Sequence, residues 1–137
     1  MNPQGLIIAD EDLATRTQLA VMFRNAGYQV SAPSSVADAL VGILKKTAKV
    51  VLLSTRFDEV LATELIPLLK KANRDLTIIL VASELPLALL RKARHEGIFY
   101  HALKPVQPGD EEELRQVVKC AFDKSTRHNH DYEQSAE

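Results

Sequence analysis

Four short apolar runs in this chain each stop at side chains that can do chemistry. Leu6-Ile7-Ile8-Ala9 gives way to the carboxylates Asp10-Glu11-Asp12, and Val50-Val51-Leu52-Leu53 ends on the hydroxyl of Ser54. The run that begins at Leu76 passes through Ala82 to Ser83, and the run Ile98 to Ala102 leads into Leu103-Lys104-Pro105. The Lys104 ammonium and the Asp10–Glu11 pair are able to bond to each other directly. The Ser54 hydroxyl is a poor nucleophile without a general base, and no His or carboxylate in the sequence is evidently placed to activate it. Asp58 offers a second carboxylate shortly after Ser54, but it follows Thr55-Arg56-Phe57. To carry Asp58 to the same edge, the strand would have to bury Arg56 between two layers, at the cost of an unpaired charge. His101 carries the side-chain type of a pH-responsive switch, yet a lone histidine at a strand end is most often half-buried scaffold. His128-Asn129-His130 lacks an acidic partner in a fixed element and reads as tail composition.

The elements that must position these groups are legible in order. Short, wholly apolar runs of β-formers suit strands buried on both faces of a parallel sheet. The strands are expected at Leu6–Ala9, Tyr28–Ala32, Val50–Ser54, Leu76–Ala82 and Ile98–Ala102. The first helix, from Leu13 to Ala26, carries Leu19, Ala20, Met22, Phe23 and Ala26, with Asp12 as its N-cap and Gly27 as its left-handed stop. The second, capped at Pro33-Ser34-Ser35, carries Val36, Ala39, Leu40, Ile43 and Leu44 inward. The third, from about Glu59 to Ala72, turns Leu61, Leu65, Leu68 and Leu69 inward, and Pro67 should kink or shorten it.

The fourth helix, with Pro86 early in it, ends at Gly97. Taking Leu87, Leu90 and Ala93 as its core face leaves Leu85 and Leu89 turned outward, a contact surface. The last begins near Asp110, where Asp110, Glu111, Glu112 and Glu113 favour the positive end of the helix dipole. Its buried stripe is Leu114, Val117, Val118, Ala121 and Phe122. Cys120 falls off that stripe. The fold class is therefore α/β: a five-stranded parallel sheet with helices on both faces, because each parallel crossover needs a helix. Ligands of such sheets bind at the carboxyl ends of the strands, where the chemically capable residues gather.

At 137 residues with 46% apolar composition, the chain suffices for one domain with its own core. We assign residues 1–124 to that domain and residues 125–137 to a polar tail, disordered or a linker. A net charge of −1 gives no support to a nucleic-acid or anionic-membrane surface. One cysteine excludes an internal disulfide and fits a reducing compartment, so a cytoplasmic location is expected. No signal-peptide pattern and no apolar stretch of about 18 residues occurs. After the first strand there is neither a Gly-x-Gly-x-x-Gly run nor a phosphate loop with Lys-Ser/Thr, which removes the main support for a nucleotide-binding enzyme.

Taken together, in order, on five βα repeats, these motifs resemble the receiver domain of bacterial response regulators. Leu6-Ile7-Ile8-Ala9-Asp10-Glu11-Asp12 is similar to that family's first motif. Ala93-Arg94-His95-Glu96-Gly97 followed by Leu103-Lys104-Pro105 is similar to its last. The resemblance spans roughly residues 5–124 and implies a (βα)5 flavodoxin-like fold and a two-component signalling role. It implies Mg²⁺ on the acidic pair plus an aspartate after the third strand. That aspartate accepts a phosphoryl group from a histidine kinase, with the Lys and a Thr/Ser on the phosphoryl oxygens. It also implies a cis Lys104–Pro105 bond, and partner or dimer contacts through the face of the fourth helix, fifth strand and last helix.

The chain departs from that pattern where phosphorylation is decided. Ser54 stands at the acceptor position, Ala82 at the Thr/Ser position with Ser83 one place on, and His101 at the aromatic position. Asp58 stands where the family usually has Pro. Asp10, Glu11, Lys104 and Pro105 match. The expectation is a non-enzymatic, degenerate receiver that needs no cofactor, binds Mg²⁺ weakly at most through Asp10 and Glu11, and works by contact with protein partners of a two-component pathway, a homodimer being one such contact, with neither nucleic acid nor membrane. Two alternatives stay open: phosphotransfer through Asp58 or Ser54, and a flavodoxin-like small-ligand site in the vacated pocket.

Overall fold

The computed structural model describes residues 5–135, with side chains described for residues 5–124 except Pro108. Five parallel strands form one sheet: β1 (Gly5–Ala9), β2 (Gln29–Ser31), β3 (Val50–Ser54), β6 (Thr77–Val81) and β7 (Tyr100–Ala102). Their order is β2-β1-β3-β6-β7, which puts the two most apolar strands at and beside the centre. Between β3 and the third helix lies a small antiparallel hairpin, β4 (Arg56–Phe57) and β5 (Val60–Leu61). The helices are α1 (Leu13–Asn25), α2 (Val36–Leu44), α3 (Ala62–Ala72), α4 (Leu87–Glu96) and α5 (Pro108–Ser135).

Strand alternation sorts the core into two layers. Leu6, Ile8, Val50, Leu52, Ile79 and Val81 pack with α1 and α5. Their neighbours Ile7, Ala9, Val51, Leu53, Ile78 and Leu80 pack with α2, α3 and α4. Both faces are covered, so the strands read as continuous apolar runs and not as alternating ones. Gly5 is required at the start of β1: a Cβ there would lie 1.9 Å from the Thr47 carbonyl oxygen.

Several details differ from the sequence-based expectation. The third helix begins at Ala62 and not near Glu59, because Val60 and Leu61 pair with Phe57 and Arg56. Leu61 and Leu68 are exposed, and Ala62 and Ile66 take the inward places beside Leu65 and Leu69. The helix continues through Pro67. On α2, Ala39 and Ile43 are buried and Leu44 is exposed. Pro86 precedes α4 as its N-cap residue. The segment from Ser125, expected to be disordered or a linker, continues α5 as helix through Ser135. Nothing in Ser125–Ser135 is a Gly or Pro that would stop it. His128-Asn129-His130 lies there, outside the residues whose side chains are described.

Candidate functional site

Register alone collects the site. Ala9 lies opposite Leu53, so the residues that follow, Asp10 and Ser54, stand side by side at the carboxyl edge. Ser54 lies opposite Val81 and Val81 opposite Ala102, which brings Ala82 and the Leu103-Lys104-Pro105 exit onto the same edge. Asp10 and Ser54 are each only 3% exposed. The structure thus brings together Asp10, Glu11, Ser54, Ala82, His101, Lys104 and Pro105.

Asp10 is held from three sides. Its Oδ1 accepts from the Asp12 N–H at 2.9 Å, and its carbonyl accepts from Arg16 Nη1 at 3.2 Å. Its Oδ2 is buried without a hydrogen-bond partner and faces Lys104 Nζ at 3.8 Å, an ion pair too long for a hydrogen bond. Glu11 points outward and pairs with Arg56, Oε1 to Nε 3.6 Å. Asp12 caps α1 by accepting from Thr15, backbone and hydroxyl both. The Thr15 hydroxyl, first, and then its N–H hold the Asp12 carboxyl below its ordinary 3.8, and the Lys104 charge adds to the effect.

Ser54 is already engaged. Its hydroxyl donates to the Arg56 carbonyl at 2.6 Å, tying the end of β3 to the hairpin. The hairpin is further fixed by the Ala62 N–H donating to the Thr55 carbonyl at 2.8 Å and by Phe57, buried among the α2–α3 layer. Asp58 and Glu59 form its turn, both with positive φ (52° and 64°). Two such residues make the tight turn whose twist matches a hairpin, usually supplied by Asn-Gly. The Asp58 carboxylate accepts from the Val36 N–H at 2.9 Å and so caps the start of α2. That contact gives the Asp58 carboxylate a backbone partner on α2.

On the other side of the crevice, Ala82 is buried and its N–H donates to the Ala102 carbonyl at 3.0 Å. Ser83 is exposed. His101 is half-buried, its Nε2 3.3 Å from the Ala82 carbonyl. Tyr100 is exposed and its hydroxyl donates to Glu113 at 3.4 Å. The Lys104–Pro105 bond is trans, against the expectation of cis. The two isomers of an X–Pro bond differ by only about 0.5–1 kcal/mol, so local packing decides between them. Here the Pro105 carbonyl accepts from Gln18 Nε2 at 3.4 Å.

The expectation that Leu85 and Leu89 turn outward is also corrected. Both are partly buried, and with Leu61, Leu80 and Ala93 they line an apolar crevice between α4 and the start of α3. On α4 it is Leu87 that is exposed, at 59%. Leu85 precedes α4, so helical phase does not apply to it, and Leu89 shares its face with Ala93 one turn on. The pairing of Arg56 with Glu11 is not foreseen by the sequence, where Arg56 enters only as a charge that an extended strand would bury. Its only signal is a charge between a strand and a buried Phe, and the turn beyond it carries no Gly or Asn.

The chain matches the family model described as response regulator receiver domain over residues 6–119. It is 26% identical over 126 residues to the DNA-binding transcriptional regulator NtrC of Azospirillum brasilense, covering 92% of this chain and 26% of that protein. The chain therefore spans about a quarter of that relative's length. Among solved structures it is similar to a CheY-like response regulator receiver domain protein of Methanospirillum hungatei, with a TM-score of 0.82 at 19% identity, covering 92% and 98% of the two chains. It is also similar to the beryllofluoride-activated NtrC4 receiver domain dimer, with a TM-score of 0.77 at 17% identity, covering 88% and 98%.

Proposed function

The chain belongs to the response regulator receiver domain family, and from that premise we propose that it is a receiver without a phosphoacceptor, acting by contact with protein partners of a two-component pathway in the cytoplasm. The observation that carries this reading is Ser54: at the end of the central strand, beside Asp10, it presents a neutral hydroxyl already donated to the Arg56 carbonyl. A carboxylate in that seat would attack a phosphoryl donor in line, with metal and lysine neutralising the charge. A hydroxyl whose proton goes to a backbone carbonyl, with no base bonded to it, does not. Asp58, the other acceptor, is used as a cap on α2.

Mg²⁺ does not fit the donor set. The ion demands near-octahedral oxygen coordination and several hard ligands. Of the two carboxylates at the edge, Asp10 turns its open oxygen to an ammonium and Glu11 meets a guanidinium. Among the described residues no group of three His, Cys, Asp or Glu is arranged to hold a metal ion. No reaction step is therefore assigned to a metal.

The contact surface in this reading is the face of α4, the edge strand β7 and α5, which exposes Leu87, Tyr100 and Leu103. A second copy is a natural occupant, since the similar NtrC4 receiver domain is described as a dimer. DNA binding, named for the whole NtrC regulator, forms no part of the reading for this chain.

The test is intact-mass analysis after incubation with acetyl phosphate and Mg²⁺, and with a phosphorylated histidine kinase of the same cell. No phosphoryl adduct is expected on the wild-type chain. An adduct that disappears in Asp58→Asn or Ser54→Ala would replace this reading with phosphotransfer.

A further inference from the structure

We infer that Arg56 serves as the built-in counter-cation of the acidic pair, so that two side chains of the protein, Arg56 and Lys104, occupy the electrostatic role of an exchangeable divalent ion. The inference rests on the reading of the chain as a receiver, and it assigns a specificity role to a residue outside the motifs that define the edge.

Two carboxylates at neighbouring positions repel each other and need positive charge nearby. Lys104 Nζ lies 3.8 Å from Asp10 Oδ2, and Arg56 Nε lies 3.6 Å from Glu11 Oε1, so each carboxylate has its own cation. A guanidinium is a planar, delocalised cation, more weakly hydrated than an ammonium and suited to pairing with a carboxylate. A metal ion approaching Glu11 has to push that charge aside or sit against it.

The hairpin delivers Arg56 and holds it there. Its anchors are the Ser54 hydroxyl on the Arg56 carbonyl, the Ala62 N–H on the Thr55 carbonyl, buried Phe57 and the Asp58 cap on α2. Two consecutive non-glycine residues at positive φ persist in the turn only because these anchors over-determine it. The Ser54 contact does a second thing. It engages the Arg56 carbonyl, the hairpin's backbone acceptor next to the edge, with a donor. Serine therefore removes one anionic group from the edge and ties the hairpin to the end of β3. Arginine supplies the charge that an incoming ion would have brought.

Four chains test this, all at full length: wild type, Ser54→Asp, Ser54→Asp with Arg56→Ala, and Ser54→Asp with Arg56→Lys. Amide spectra are recorded during titration with Mg²⁺, and again with Mn²⁺ for paramagnetic broadening. The wild type is expected to show no saturable change at Asp10 and Glu11 up to millimolar ion. Ser54→Asp should bind weakly, and adding Arg56→Ala should tighten binding by about tenfold or more, within the range that ligand-supporting groups command. Arg56→Lys, which keeps a positive charge at the site, should leave the affinity close to that of Ser54→Asp alone. That difference separates a charge effect from loss of the hairpin, which amide shifts at Phe57 and Val60 report directly. Saturable metal binding by the wild type overturns the inference, as does equal affinity of Ser54→Asp with and without Arg56. Phosphoryl uptake by the wild type, read by mass, would overturn the functional reading instead.

Discussion

A single hydroxyl in place of a carboxylate changes what the edge of the sheet can do, and its consequences are local and measurable. The Ser54 hydroxyl is buried and its one donor goes to the Arg56 carbonyl. Ser54→Ala leaves that carbonyl without this donor and should lower unfolding stability by about 1–2 kcal/mol in urea denaturation. A loss below a few tenths of a kcal/mol would mean that the bond contributes little to holding the hairpin. Asp58→Ala removes a charge-assisted cap from α2 and should cost about 1 kcal/mol. It should leave the Asp10–Lys104 region of the amide spectrum unmoved. At this scale the sequence was informative wherever an apolar run ended on a polar residue, as at Asp10, Ser54 and Lys104. It gave no sign that Arg56 would meet Glu11 from a hairpin, because a hairpin whose turn is Asp-Glu offers no local mark. It misplaced Leu85 and Leu89, because Leu85 precedes the helix and Leu87, taken as part of the core face, is exposed.

Elements are set by caps and close approaches more than by propensity. Asp12 caps α1, and its carboxyl lies below the ordinary value of 3.8 in the folded chain, chiefly through the Thr15 hydroxyl. A carboxyl depressed on folding contributes stability above its unfolded pKa, and loses that contribution as pH falls through its folded pKa. The melting temperature of wild type should therefore exceed that of Asp12→Asn by a constant margin near neutrality, and the margin should shrink below about pH 4. A margin independent of pH would assign the effect to hydrogen bonding alone. At the start of β1 a methyl group at residue 5 meets the Thr47 carbonyl, so Gly5→Ala forces backbone movement. It should destabilise by about 1–3 kcal/mol, measurable by thermal or chemical unfolding. The strands and the starts of α1 and α2 were legible because apolar runs and the caps Asp12 and Ser35 mark them. The start of α3 was not, since Val60 and Leu61 are equally good strand and helix residues until Arg56 and Phe57 pair with them.

For the molecule as a whole, two apolar layers clamp a parallel sheet whose carboxyl edge carries the acidic pair, Ser54 and Lys104. That architecture follows from five alternations of strand and helix and was readable before any coordinate. The extension of α5 to Ser135 was not readable, because a polar segment without Gly or Pro is compatible with helix or with a solvated tail. In the proposed reading this edge is neutralised from within, and no phosphoryl group or metal ion switches it. A ligand shifts a protein only through different affinity for two states. The most direct measurement is therefore the amide spectrum of the full chain with and without beryllofluoride and Mg²⁺. The spectra should superimpose at Asp10, Ser54, Ala82 and Lys104. Saturable shifts centred on Lys104 would show that the edge still accepts a phosphoryl mimic, and would contradict a receiver that works by contact alone.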